Sequence, residues 1–316
     1  MSEIKSKVIR IPYDPDDRDG WLELRRKGLG GSDAATVVGL NPFSSKLYLY
    51  ADKMGLMPEK EDSEAMREGR ELEDYVAGRW SEATGKKVQR VNAVLFNEKY
   101  QWGLANLDRK VVGEPALLEV KTTSAWNKTD FKNGEIPPQY YCQCQHYLAI
   151  SGYERAYLAV LVLNTAFYTF VIDRDEKEIE ALMSAERDFW EQHIIPKIPP
   201  APDGSESAMA VLDNKLFIDD VALIPDTDPL FEEYERISGI IKSYEEDKDE
   251  LKQQIIAKMG DKARAQAQTW SASYLPQERT TIDKDKLLRA YPQAFGDCVK
   301  TSTYRTFRAK KNKAQA

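Results

Sequence analysis

Four prolines fall within the ten residues 194–203 (IIPKIPPAPD), and they constrain this chain more than any other feature. Proline lacks an amide hydrogen and fixes its own φ. Neither a helix interior nor a central strand can run through such a segment. The break divides the chain into two parts of different character, residues 1–204 and residues 205–316. A length of 316 residues suits one large domain with an appendage.

The first part alternates helical and extended patterns. Residues 21–27 read as a short amphipathic helix, and Gly28-Leu-Gly-Gly31 breaks it. Ser32 has the chemistry of an N-cap for the next helix. Residues 63–84 form a long helical pattern with Met66, Leu72, Val76 and Trp80 on its apolar face. Residues 91–96 and 102–107 alternate as strands around a turn at 97–99. A short apolar strand follows at 116–120. Pro137-Pro138 opens a helix that Gly152 ends, and residues 155–163 and 167–172 form a hairpin around Asn164-Thr165. A last helix covers 175–193. This order predicts an α/β fold with a mixed central sheet of four or five strands flanked by helices.

The second part changes period. Leu230, Tyr234, Ile237, Ile241, Tyr244, Leu251 and Ile255 recur at steps of four and three, with Lys248 interrupting the seam. The expectation is a helical, coiled-coil-like appendage, then short strands around a helix at 283–291. The end is basic: Arg305, Arg308, Lys310, Lys311 and Lys313 stand there with no acid among them.

Composition excludes several chemistries. Three cysteines, as Cys142-x-Cys144 and Cys298, supply neither a disulfide framework nor a zinc site. They also fall short of the four ligands of an iron–sulfur cluster. With two histidines in the chain, metal chemistry would rest on oxygen ligands, which favours Mg²⁺ with Mn²⁺ as a substitute. No apolar run approaches membrane-spanning length. The first ten residues lack a signal-peptide core, so a cytoplasmic location is expected. The net charge of −7 argues mildly against nucleic acid. A hydrolase that gathers carboxylates at a metal site would nevertheless carry such a charge.

One constellation carries chemistry: Asp108, then Leu118-Glu119-Val120-Lys121. Residues two apart on a strand share a face. Glu119 and Lys121 therefore project together, while Leu118 and Val120 face a core. Two carboxylates can hold the metal ions that activate water and neutralise a phosphorane, and a neighbouring lysine can stabilise the developing charge. The polar face of an exposed strand is the alternative. Glu73 on the upstream helix could add a third carboxylate, or lie on a solvated face. Gln143 and Tyr147, four apart on one helix, share a face. Arg25 and Ser32 would suit an anion at a helix N-terminus.

In this order the residues resemble the PD-(D/E)xK nuclease superfamily, and more closely the YqaJ-type phage recombination nucleases, relatives of lambda exonuclease. The resemblance covers about residues 21–168. Asp108, Glu119 and Lys121 resemble the metal-binding Asp and Glu and the catalytic Lys. Glu73 resembles the additional metal-site glutamate, and Gln143-x-x-x-Tyr147 a RecB-like element. Trp21-x-x-x-Arg25 with Gly-Gly-Ser32-Asp33 resembles the segment that holds a terminal 5′-phosphate. Leu107 stands where the superfamily's name has proline.

The resemblance implies a PD-(D/E)xK core. It also implies Mg²⁺-dependent 5′→3′ exonuclease action on double-stranded DNA ends, yielding single strands for phage-type recombination by strand annealing. A single-strand annealing recombinase is the implied partner. A ring-shaped homo-oligomer, with a trimer as one candidate, is the implied assembly. The rivals are an endonuclease of the same superfamily and a non-catalytic DNA-end-binding or recombinase-loading protein.

Overall fold

The computed structural model describes residues 7–14, 17–58, 62–125, 131, 134–214, 222–302 and 304–311. Two compact units emerge, Met1–Leu216 and Phe217–Ala316.

The first unit is built on a mixed sheet of five strands: β2 (Val88–Arg90), β5 (Arg109–Val111), β6 (Ala116–Thr123), β7 (Arg155–Val162) and β8 (Ala166–Asp173), hydrogen-bonded in that order. β6 and β7 run parallel, with Glu119 opposite Leu158, and the other pairs are antiparallel. Parallel neighbours need a crossover, and α5 (Pro138–Ser151) supplies it. Pro138 starts that helix where a missing amide costs nothing. Gly152 ends it at φ 70°, a left-handed conformation that glycine adopts without a Cβ penalty.

β6 sends alternate side chains to opposite faces. Leu117 joins the core under α5 (Leu148, Ile150, Leu158, Val160), whereas Leu118 and Val120 join the core under α4 (Glu64–Thr84). Ser63 caps α4 through Met66 N, and its inner face buries Val76, Ala77 and Trp80. Trp80 is fully buried against Tyr157, with ring centroids 5.0 Å apart. Truncating such a residue to alanine costs about 3–5 kcal/mol.

A second sheet orders β1 (Val8–Pro12), β3 (Ala93–Asn97) and β4 (Tyr100–Asn106), all antiparallel. Sequence pattern revealed β3 and β4 but not β1, whose isolated VIRIP segment has no flanking turn signal.

α1 (Arg18–Arg26) and α2 (Gly31–Val37) precede α3 (Lys46–Lys53). Ser32 does not cap α2. The helix starts two residues earlier, at Gly31 with Gly30 as its N-cap, and the Asp33 carboxylate accepts from Gly30 N at 2.9 Å, so Asp33 satisfies the free amide and Ser32 is left for other partners. α6 (Glu176–Phe189) runs into one π-helical turn, Trp190–Ile194, just before the prolines.

The first unit does not stop at that proline segment. α7 (Glu206–Asp213) packs Ala208 and Val211 against Leu47 and Ala51 of α3. The unit therefore runs to Leu216 rather than residue 204. Prolines interrupt secondary structure, but apolar burial decides which side of the interruption belongs to which core.

In the second unit, α8 (Asp228–Met259) is one helix of 32 residues. It is followed by a two-stranded pair, β9 (Arg264–Gln266) with β10 (Ser271–Ser273), and by α9 (Lys284–Ala290) and α10 (Pro292–Cys298). The seam residues of α8 are exposed, and Met259 alone among its described residues is buried. Phe307 of the basic tail meets Tyr234 edge-to-face at 5.5 Å. Thr303 and Lys313 lie outside the described residues. Among the described residues no helix is long and apolar enough to cross a membrane.

Candidate active site

The β6 face turned toward α5 carries Glu119 and Lys121. Lys121 Nζ donates to Glu119 Oε1 at 2.7 Å and lies 5.4 Å from the centroid of the Tyr140 ring. Gln143 Nε2 donates to the same Glu119 oxygen at 2.6 Å and to Tyr147 Oη at 3.1 Å. Glu119 is 2% exposed, and its Oε2 is buried without a hydrogen-bond partner among the described residues. Asp108 reaches the cleft from the turn before β5, and its Oδ2 accepts from Val120 N at 2.9 Å.

Charge in this cleft is unbalanced. Burial, then the neighbouring Glu119, push the Asp108 carboxyl well above the ordinary range, with Lys121 opposing. Burial alone would lower Lys121. The carboxylates of Glu119 and Asp108 outweigh it and hold the ammonium above its ordinary value. Burial and the same two carboxylates raise the Tyr147 phenol, so its proton stays in place.

Glu73 lies to one side. Its carboxylate ion-pairs with Arg109 Nη1, and Arg109 Nη2 reaches Asp74 Oδ1 at 2.7 Å. Among the described residues no cluster of three or more His, Cys, Asp or Glu side chains is arranged to hold a metal. Two carboxylates with an orphaned buried oxygen nevertheless match a hard, oxygen-ligated cation. Asp108 and Glu119 are the residues that could hold one. The two histidines are committed elsewhere. His146 lies between Glu186 and Leu104 O, 2.8 Å from each, and His193 Nδ1 is 3.0 Å from Ile198 O.

On the far side of Tyr147 an open concavity is lined by Trp21, Arg25, Gly30, Gly31, Ser32 and Tyr147. Arg25 Nη2 donates to Ser32 Oγ at 3.1 Å, and the guanidinium carbon sits 5.4 Å from the Trp21 ring centroid. Gly31 permits this geometry, because a Cβ there would stand 2.5 Å from Tyr147 Cε1.

Beneath Arg25, Asp33 is buried. It pairs with Lys53 Nζ at 2.7 Å and lies 3.9 Å from Arg25. Burial alone would raise Asp33, but Lys53 and Arg25 hold its carboxyl below the ordinary value. Lys53 also donates to Arg25 O at 3.1 Å.

The structure thus brings Asp108, Glu119, Lys121, Gln143 and Tyr147 together in one cleft. Arg25 and Ser32 lie in the adjoining concavity. Gln143 is buried. Sequence reasoning missed Lys53 and Arg109, and it quoted Asp33 without giving it a role. Asp33 at the third helical position was a legible signal. Nothing local marks Lys53.

The YqaJ-like viral recombinase domain matches residues 20–154, which span both the cleft and the concavity. A Bacillus subtilis (strain 168) relative, the uncharacterized protein YqaJ, is 37% identical over 300 residues, 92% of this chain and 93% of the relative. The chain belongs to the YqaJ-like viral recombinase family. The family domain ends at residue 154, inside the loop after α5, whereas the B. subtilis relative extends over most of both units.

Among solved structures, an alkaline exonuclease from Laribacter hongkongensis is 21% identical with a TM-score of 0.48, over 55% of this YqaJ-like chain and 91% of that one. A phage related exonuclease from Haemophilus somnus 129PT is 14% identical with a TM-score of 0.41, over 55% and 98% of the two chains.

Proposed function

We propose that this YqaJ-like protein is a Mg²⁺-dependent deoxyribonuclease that degrades double-stranded DNA from its ends in the 5′→3′ direction. One juxtaposition carries the reading. A cleft with two carboxylates and one lysine adjoins a concavity lined by Arg25 and Ser32, and Tyr147 borders both. A 5′-terminal phosphate would suit the concavity, which would leave a phosphodiester near the cleft.

Asp108 and Glu119 would hold the metal, which when bound supplies Lewis-acid polarisation and an activated water. The rest of the chemistry falls to the chain's own groups. Before a metal binds, Glu119 and Asp108 favour the charged form of Lys121. Lys121 stabilises charge that builds on the phosphoryl oxygens. Gln143 fixes the rotamer of Glu119 by donating to Oε1, which leaves Oε2 free. Tyr147 accepts from Gln143 and keeps its own proton to donate toward the concavity.

The single strand left by such digestion is a substrate for annealing-type recombination in a bacterial cytoplasm. A strand-annealing recombinase partner and a ring-shaped homo-oligomer are part of the same proposal. Mn²⁺ would substitute for Mg²⁺.

The test is an end-labelled, 5′-phosphorylated linear duplex incubated with Mg²⁺ or with EDTA, beside a closed circle of equal length. Release of label from the linear duplex with Mg²⁺ alone, and an intact circle, are expected. Equal cleavage of the circle would make the protein an endonuclease. No cleavage of either would leave a DNA-end-binding protein.

A further inference from the structure

Arg109 is the most completely buried guanidinium near the cleft, with its side chain 4% exposed. A buried charge is costly unless it is paired and hydrogen-bonded, and Arg109 is paired in three directions. Nη1 reaches the Glu73 carboxylate and donates to the backbone carbonyl of Asp108, the latter at 2.7 Å. Nη2 reaches Asp74 Oδ1 at 2.7 Å. Arg90 stands opposite Arg109 in the β2–β5 register and takes the other Asp74 oxygen at 2.6 Å. Two arginines directly opposite on paired strands would repel each other. The adjacent acids of α4 make the arrangement stable.

The geometry has a consequence at the cleft. Asp108 is held at both ends, its carboxylate by Val120 N and its carbonyl by Arg109. Glu73, which the sequence resemblance places among the metal-site carboxylates, is committed to the same guanidinium. We infer that Arg109 is a positioning residue that fixes Asp108 for metal binding and engages Glu73 as its own counter-ion, leaving the metal to Asp108 and Glu119. The inference rests on the cleft being a metal-dependent nuclease centre. It reassigns Glu73 from a ligand to a clamp and gives Arg109 a role.

The experiment measures Mn²⁺ affinity by calorimetry on the full chain, with melting temperature and with kcat and KM on the linear duplex. The variants are Glu73→Gln, Arg109→Gln, Arg109→Lys and the double Glu73→Gln/Arg109→Gln. Glu73→Gln should bind Mn²⁺ within about threefold of wild type. Arg109→Gln should weaken Mn²⁺ by about 10–100-fold, the usual cost of losing a group that orients a ligand. It should lower kcat with little change in KM.

Arg109→Lys keeps a cation to preserve the fold. It should not restore Mn²⁺ affinity, because an ammonium cannot span Glu73, Asp74 and the Asp108 carbonyl at once. The double variant should be no weaker than Arg109→Gln, since the two residues act as one unit. A tenfold or larger loss of Mn²⁺ affinity in Glu73→Gln makes Glu73 a ligand and overturns the inference. So does wild-type Mn²⁺ affinity in both Arg109 variants with only a lower melting temperature. If the wild type takes up no Mn²⁺, the metal reading falls, and this inference falls with it.

Discussion

The cleft and the concavity flank one tyrosine and carry opposite charge imbalances. Among the described residues, two carboxylates of the cleft, Asp108 and Glu119, face one ammonium, Lys121. Around the concavity two cations, Arg25 and Lys53, face one carboxylate, Asp33. Burial and then Glu119 push Asp108 above the ordinary carboxyl range, whereas Lys53 and Arg25 overcome burial and hold Asp33 below it. A fold that only needed stability would balance both sets. Each is left one charge short, and the missing charge has the sign of a ligand, a cation for the cleft and an anion for the concavity.

The sharpest way to break this contrast is to neutralise the cleft. Asp108→Asn and Glu119→Gln should each abolish Mg²⁺-dependent cleavage, while Asp108→Asn makes the metal-free protein more stable. Asp108 has a raised pKa when folded, so the folded state holds that proton more tightly than the unfolded chain does. Its stabilising contribution is complete in acid and is lost as pH rises through the raised pKa. Asparagine stays neutral throughout. The melting-temperature advantage of Asp108→Asn should therefore grow as pH rises above the ordinary carboxyl range, and Mn²⁺ added to the wild type should shrink it. A variant less stable than wild type at the higher pH would show that the cleft is not anion-overloaded.

Lys121→Ala comes next. It removes the one cation that faces the carboxylates among the described residues and should cost about 10²–10³ in kcat, the scale for losing one charge partner of a transition state. In the metal-free protein Lys121 should keep its proton through the ordinary lysine range, because both carboxylates hold it on. An NMR titration without metal that deprotonates Lys121 near pH 10 would contradict this.

The same contrast explains what could be seen in the sequence. The cleft was legible because alternation along a strand places Glu119 and Lys121 together, and Asp108 lies in the adjacent strand's turn. The Trp21-x-x-x-Arg25 and Gly-Gly-Ser32-Asp33 segments were legible because they are contiguous. Lys53 was not, since it reaches Asp33 only through the packing of α3 beside α2. Arg109 was hidden because an arginine next to an acid reads as a solvated pair until α4 brings Glu73 and Asp74 against it. The boundary was misplaced because four prolines are a loud local signal, and two buried residues, Ala208 and Val211, are a faint one. The seam of α8 was read correctly as a helix pattern, but periodicity does not say what covers it.

Neutralising the concavity should have a smaller effect than neutralising the cleft. A 5′-phosphorylated duplex should be degraded faster than its 5′-hydroxyl counterpart. Arg25→Ala should reduce that ratio about 10–100-fold toward one, the range for a hydrogen bond to a charged group. Metal-dependent activity should persist. Asp33→Asn should lower the ratio as well, by loosening Lys53 and Arg25 together. A wild type indifferent to the 5′-phosphate would remove the concavity from the reaction.

The smallest effect belongs to the second unit, and it separates retention of DNA from chemistry. Arg308, Lys310 and Lys311 are exposed, and no catalytic-looking constellation lies beyond residue 216 among the described residues. Cations spread on an exposed tail act on DNA by displacing counter-ions, with a contribution to the salt slope of about 0.9 per phosphate neutralised. Arg308→Glu with Lys310→Glu should therefore lower the slope of log affinity against log salt by about 2 and weaken binding most at low salt. kcat at saturating DNA should not change, since neither residue belongs to the unit that holds the cleft. A chain ending at Leu216 should likewise keep metal-dependent cleavage, because α7 and its contacts with α3 are retained. If that shorter chain folds yet cleaves nothing, the second unit takes part in the chemistry, and the charge contrast within the first unit is not sufficient for function.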